Sequence, residues 1–175
     1  YPSAELFING KSQGKISKRT DGTLQQRYRL MWNDAVYEPG ELKVVAYDKD
    51  GNVADTKIVK TAGKPDHIQL ISNVSTLKSD GKDLAYVTVR MVDKDGNLCP
   101  MDSSLVKFNV SGAGIFRASA NGDPCSLDPF QQPQMHLFSG QCTAIVQTKE
   151  KAGKITLVAT SKGVKSGKVG IISNK

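Results

Sequence analysis

Glu5-Leu6-Phe7-Ile8-Asn9-Gly10 is followed by Tyr37-Glu38-Pro39-Gly40-Glu41-Leu42 and then by Tyr47-Asp48-Lys49-Asp50-Gly51-Asn52. Each phrase starts or ends at a turn. Asn9-Gly10 takes the positive backbone angles that a tight hairpin requires, Pro39-Gly40 suits a type II turn, and Asp50-Gly51-Asn52 closes another reversal. The opening of the chain therefore reads as short strands with no helix. Working outward, Leu42, Val44 and Ala46 alternate onto one face of a strand over 41–47, and 53–61 pairs back across the Asp-Gly-Asn turn. A further strand is expected over Arg27–Trp32, with Tyr28 and Leu30 on its face.

The rest of the chain follows the same rhythm. Sixteen glycines and seven prolines spread over 175 residues fit many short strands joined by turns, and the length holds two small domains, each with its own core. Thr61-Ala62-Gly63-Lys64-Pro65 interrupts the strand pattern, and a domain boundary is expected there, giving 1–64 and 65–175. Seven strands are expected after it: 67–71, 84–92, 105–110, 115–118, 141–148, 154–160 and 168–172. In the second of these Ala85, Val87, Val89 and Met91 share a face. That number of strands at that spacing matches an immunoglobulin-like sandwich. The fold expected is all-β, two immunoglobulin-like β-sandwich domains in tandem. Residues 121–134 are the irregular element, too polar and proline-rich for a strand and too long for an ordinary connection.

Charge and cysteines narrow the function classes. The formal charge of +7 comes from scattered lysines and arginines beside turns and sheet edges, where they keep strands from pairing with other chains; without a patterned aromatic platform they do not imply nucleic acid. No stretch reaches the roughly 20 apolar residues of a membrane-spanning helix, so the chain reads as soluble. Cys99, Cys125 and Cys142 lack the CxxC spacing of a zinc site and read as reduced, partly buried thiols, with one disulfide and one free thiol as the alternative in an oxidising compartment. Asp-Lys-Asp-Gly-Asn occurs twice, at 48–52 and 93–97. Its glycine stands too early for an EF-hand and no closing Glu follows, so the repeat reads as one hairpin chemistry used twice, with no metal.

Taken in order, these phrases resemble the C-terminal accessory region of glycoside hydrolase family two enzymes, the family of bacterial β-galactosidases and β-glucuronidases. Residues 4–64, through Glu5 to Gly14, Leu30-Met31-Trp32, Tyr37 to Leu42 and Thr61 to Pro65, resemble the short domain of unknown function that follows the catalytic barrel. Residues 65–175 resemble the immunoglobulin-like domain after it, through Asp80 to Leu84, Val92 to Asn97, Asn121 to Pro124 and Ser139-Gly140 running into Ala144 to Gln147. The resemblance implies a first domain lacking strands at its N-terminus, and a secreted or periplasmic bacterial parent that hydrolyses β-glycosides with retention through two glutamates of a barrel. No position of this sequence corresponds to either glutamate, so no catalytic residue and no cofactor is expected. The partners implied are the catalytic barrel of the parent and a further subunit in a homo-oligomer.

Two further readings concern binding. Accessory sandwiches can hold sugar rings on exposed aromatics, and Trp32 is the single candidate platform; the large apolar area of the indole favours a core role instead. The loop at 121–134 is expected to face the catalytic body, with Asn121 and Asp123 building a rigid turn and Phe130 serving as anchor; Phe116 and Phe138 flank it. Ser75 to Gly81 and Asp95-Gly96-Asn97 also resemble the immunoglobulin-like domains of invasin-type adhesins, over the second domain alone. His67 and His136 stand in no nucleophile–base pattern, and Ser111-Gly112-Ala113-Gly114 reads as a strand-to-strand turn rather than a hydrolase elbow.

Overall fold

The computed structural model describes residues 1–175 and resolves two compact units, Tyr1–Thr61 and Ala62–Lys175. The first holds β1 (Ser3–Ile8), β2 (Lys11–Ser17), a short helix α1 (Leu24–Tyr28), β3 (Glu41–Tyr47) and β4 (Val53–Lys60). Its strands form one antiparallel sheet in the order β2-β1-β3-β4. Asn9 and Gly10 both take positive φ, 49° and 80°, in the β1–β2 hairpin. The Asn9 side chain then reaches across the sheet, accepting from Glu41 N (2.8 Å) and donating to Pro39 O (3.1 Å), which ties the second turn to the first.

Register puts Leu42, Val44 and Ala46 opposite Ile8, Leu6 and Ala4, so the alternation expected over 41–47 sets one face of this sheet. The opposite face is amphipathic. Lys15 lies 3.6 Å over the Tyr47 ring and Lys43 4.7 Å over Phe7, while Tyr47 donates to Glu5 (3.1 Å).

The strand expected over Arg27–Trp32 is not formed. Residues 24–28 are α-helical, and the chain from Arg29 to Gly40 is irregular. The cause is local: Thr23 caps the helix by accepting from Gln26 N (3.4 Å), and Gln26 Oε1 accepts from Thr23 N (3.0 Å). This reciprocal pair satisfies two amides that a strand would need a ladder partner to satisfy.

The second unit is a two-sheet sandwich. Its strands are β5 (His67–Ser72), β6 (Thr76–Lys78), β7 (Leu84–Val92), β8 (Leu105–Gly112), β9 (Gly114–Ala120), β10 (Gln134–His136), β11 (Gln141–Thr148), β12 (Gly153–Thr160) and β13 (Gly167–Asn174). One sheet runs β10-β8-β12-β13-β6 and the other β5-β7-β11-β9. The seven expected strands are all present. The two additional ones, β6 and β10, are three-residue strips at opposite edges of the larger sheet.

Between the sheets lies the core. Ala85, Val87, Val89 and Met91 of β7 are completely buried, as the alternation required, and meet Ala144 and Val146 of β11 and Val106, Met135, Ile155 and Leu157 from the facing sheet. Phe108 and Phe116 stack across the sandwich at 5.6 Å. Gly112, at φ 85°, makes the turn from β8 into β9, and a Cβ there would meet the Lys154 carbonyl. Ser111 to Gly114 is thus a strand-to-strand connection, as read from the sequence.

The repeated Asp-Lys-Asp-Gly-Asn segments are hairpin turns of one design. Asp48 Oδ1 accepts from Asp50 N and Asn52 N, each at 2.9 Å, and Asp93 Oδ1 accepts from Asp95 N (2.9 Å) and Asn97 N (2.8 Å). Asp93 differs in being 2% exposed and in accepting a further bond from Gly63 N at 2.8 Å. These amides, Gly63's foremost, hold its carboxyl down at about 2, against an ordinary 3.8.

A depressed folded-state pKa adds stability that is present above the ordinary carboxylate value and lost as pH falls toward the folded one. Asp93→Asn is therefore expected to lower Tm at pH 7 by more than Asp48→Asn does. It should also flatten the acid-side loss of stability between pH 3.8 and about 2. Calorimetric melts of both variants across that range check the ordering.

Candidate functional site

The connection from β9 to β10, residues 121–133, is the longest irregular segment of the sandwich and is held by its own side chains. Asn121 Oδ1 accepts from Asp123 N (3.0 Å), and its Nδ2 donates to His136 O (3.1 Å), anchoring the loop's start to its return strand. Asp123 Oδ1 accepts from Cys125 N (2.9 Å), a bond of the turn expected at Asn121 and Asp123. Ser126 Oγ accepts from Asp128 N (3.3 Å). Asp128 Oδ2 closes the system on β10, 2.8 Å from both His136 N and His136 Nδ1.

Backbone bonds lay the second half along the sandwich edge. Ser119 N donates to Phe130 O and Phe108 N to Pro133 O, both at 2.8 Å. The Asp128 carboxyl is held below the usual range by the His136 amide first and its imidazole second. Asp128 was not singled out in the sequence, and His136 was read there only as standing in no nucleophile–base pattern. Eight residues separate them, and only their meeting across the loop gives the pair its role.

What this scaffold presents is apolar. Leu127 and Phe130 are exposed, as are Met101 and Phe138, whereas Phe116 turns inward onto Phe108. Hydrogen bonds from Leu137 N to Ser104 O and from Gly140 N to Asp102 O put Phe138 beside the turn that carries Met101, so both mark the same end of the sandwich as the loop's start. Cys125 is an exposed free thiol, while Cys99 and Cys142 are free and buried. Burial pushes the Cys142 thiol up to about 12, so its thiolate is not accessible to chemistry.

Trp32 belongs to the other unit, in the irregular stretch after α1. It is half-buried rather than a core residue, and its indole N–H donates to Gly14 O of β2 at 2.8 Å. The expected strand would have carried the ring into a sheet; without it the indole is fixed by that bond, with part of its surface open.

The histidines converge on no shared site. His67 Nδ1 lies 2.9 Å from Asp66 Oδ2, and Asp66 is bridged in turn by Lys165 at 3.0 Å. His136 is committed to Asp128. Each is a carboxylate–imidazole pair that fixes a local turn or strand end.

Residues 68–170 match the family described as glycoside hydrolase family 2 C-terminal domain 5, and residues 1–55 match a domain of unknown function, DUF4982. The chain belongs to the family of glycoside hydrolase family 2 C-terminal domains. It is 42% identical over 161 residues to the β-galactosidase BoGH2A of Bacteroides ovatus, a match that covers 92% of this chain and 18% of that protein.

Among solved structures of the family, a β-glycosidase from Bacteroides vulgatus superposes with a TM-score of 0.87 at 29% identity, covering 98% of this chain and 21% of that one. A glycosyl hydrolase family 2 member from Bacteroides cellulosilyticus gives 0.85 at 29% identity, covering 99% and 22%. The chain thus spans about a fifth of the family members it matches.

Trp32→Phe keeps a ring but removes the donor to Gly14, and is expected to cost about 1 kcal/mol; Trp32→Ala also loses the partly buried area and should cost about 2 kcal/mol. Urea unfolding reads both. In the loop, Asp128→Asn weakens the closure on His136, and amide hydrogen exchange over 123–131 should speed up by an order of magnitude while β7 and β11 are unaffected.

Proposed function

We propose that this chain is the non-catalytic C-terminal accessory region of a longer β-galactosidase-like hydrolase that works with retention, and that it packs against the catalytic body or a partner subunit. The carrying observation is modular. Nearly the whole chain aligns with family 2 hydrolases while accounting for 18% to 22% of each. Its own chemistry agrees. Every histidine is engaged by a neighbouring carboxylate, and the most perturbed carboxyl, that of Asp93, is occupied by turn amides rather than poised toward a cleft.

In this reading the loop at 121–133 faces the parent's body, with Asn121 and Asp123 setting its turn and Phe130 offering the apolar anchor. The Bacteroides relatives support a bacterial source, and a secreted or periplasmic location is part of the proposal. A second reading, carbohydrate binding, is favoured by one observation: Phe130 and part of Trp32 are open to solvent on rigid supports.

Chromogenic β-galactoside and β-glucuronide assays test the first reading. The full-length gene product should turn over at least one of them, and this chain alone, at high concentration, should match buffer. Turnover by the chain that disappears when one of its own carboxylates is substituted overturns the proposal. Retardation of the chain in a polysaccharide gel that Phe130→Ala abolishes without a change in Tm, or that Trp32→Ala abolishes at a temperature where the variant is still folded, establishes the second reading.

A further inference from the structure

The two outer faces of the sandwich differ in kind. Outward positions of the sheet β10-β8-β12-β13-β6 carry Lys78, Lys107, Lys154 and Lys168 with no acidic residue, an ordinary hydrated surface. On the sheet β5-β7-β11-β9 the outward positions are nearly free of charge. Ile145 pairs directly with Tyr86 on one side and with Ala118 on the other, and Gln147 pairs with Ile115. Ile71 lies opposite Thr88, beside them.

Ile71 and Tyr86 are each 46% exposed. The charged side chains on this face are two arginines: Arg90, which donates to Gln69 Oε1 at 3.2 Å, and Arg117, at the bulge on the β9 edge. Isoleucine and tyrosine at the centre, arginine in place of lysine and no carboxylate is the composition of a protein interface core. An ordinary solvated sheet face alternates such residues with charges.

We infer that this face, centred on Tyr86 and Ile145, is the surface on which the body of the longer polypeptide, the part preceding Tyr1, docks. The inference rests on the accessory-region reading above and names the surface that serves it. Two arguments choose this occupant over a second copy of the chain.

The first is area. Four strands spaced about 4.8 Å apart, with about seven residues each rising about 3.4 Å, make a face of roughly 450 Å². A freely associating pair of proteins needs about 800 Å² from each partner. A surface of this size holds a partner when the partner is tethered, because the linkage supplies an effective concentration of the order of millimolar. The second is chain length. About four-fifths of each matched family member lies outside the aligned region, and the family description places that region at the C-terminus, so a large tethered body is what the relatives provide.

The test uses the full-length gene product with Cys125→Ser, so that the exposed native thiol does not interfere. Tyr86→Cys and Ile172→Cys are made separately and labelled with a maleimide, the site being read by peptide mass spectrometry. Ile172 lies on the opposite face at 41% exposure, a matched control for Tyr86. The thiol at position 86 is expected to label at least ten-fold more slowly than that at 172. Equal rates, or slower labelling at 172, overturn the inference. Protection at 86 that disappears on dilution, together with a dimer-to-monomer change in sedimentation, assigns the face to a second copy and overturns it too.

If either variant fails to fold, hydroxyl-radical footprinting of the unsubstituted protein gives the same comparison once each oxidation rate is divided by the intrinsic reactivity of its side chain, with a lower corrected rate at Tyr86 than at Ile172 expected and an equal or higher one overturning the inference. The two proposals fail separately. A full-length product without β-glycoside hydrolysis sinks the accessory-region reading, whereas an active one that labels equally fast at 86 and 172 sinks the docking face alone.

Discussion

Closure of two sheets over one layer of side chains is the constraint from which the second unit follows. Met91, Met135, Val146 and Leu157 have essentially no surface left, and each comes from a different strand, so no strand can slip by a residue without turning its share of the core to water. With register pinned this way, the outward positions are free to carry other properties. One face is given to lysines and the other to isoleucine, tyrosine and arginine. The loops inherit fixed end points, which is why a 13-residue connection such as 121–133 can be ordered by a few side-chain bonds instead of a core of its own.

Carboxylates perform the same service at the turns. Asp48, Asp80, Asp93 and Asp128 each accept backbone amides, and each has its carboxyl held low by them. The net effect of such bonds depends on how far water is excluded, so the buried Asp93, which also fixes Gly63 at the entry to the sandwich, matters more than its half-buried copy Asp48. A repeated motif therefore has unequal weight in its two places. The sequence is identical at 48–52 and 93–97, and burial makes the difference.

Long strands were legible in the sequence because alternation over seven to nine residues has no competing explanation; β7 and β11 are the clearest cases. The three-residue β6 and β10 are too short to show a period, and their pairing is set by the neighbours they happen to reach. Arg27 to Trp32 misled for a different reason. Tyr28, Leu30 and Trp32 alternate as a strand does, yet Thr23 and Gln26 carry a helix-start signal three residues apart, and with β2 and β4 closing the ends of the sheet, no ladder took up the alternating segment.

The loop's existence was visible from Gly122, Pro124, Pro129 and Pro133. Its closure by Asp128 on His136 was not, because a contact between residues eight apart depends on where β10 returns.

Within the first unit, β4 shows what a sheet of this kind implies about its surroundings. Every residue of β4 is exposed, Val53, Ile58 and Val59 among them, although Lys57 and Lys60 blunt it as an edge. A single four-stranded sheet has two faces, and its apolar residues are distributed to both: Leu42 and Val59 pair on one, Ile58 and Phe7 lie on the other. Domains are stable when such faces are covered by a second layer. The sandwich meets that requirement from within, whereas the first unit leaves Leu42, Ile58 and Val59 partly in water. Physical self-sufficiency is thus unequal between the units, in the way expected where a module completes its packing inside a larger protein.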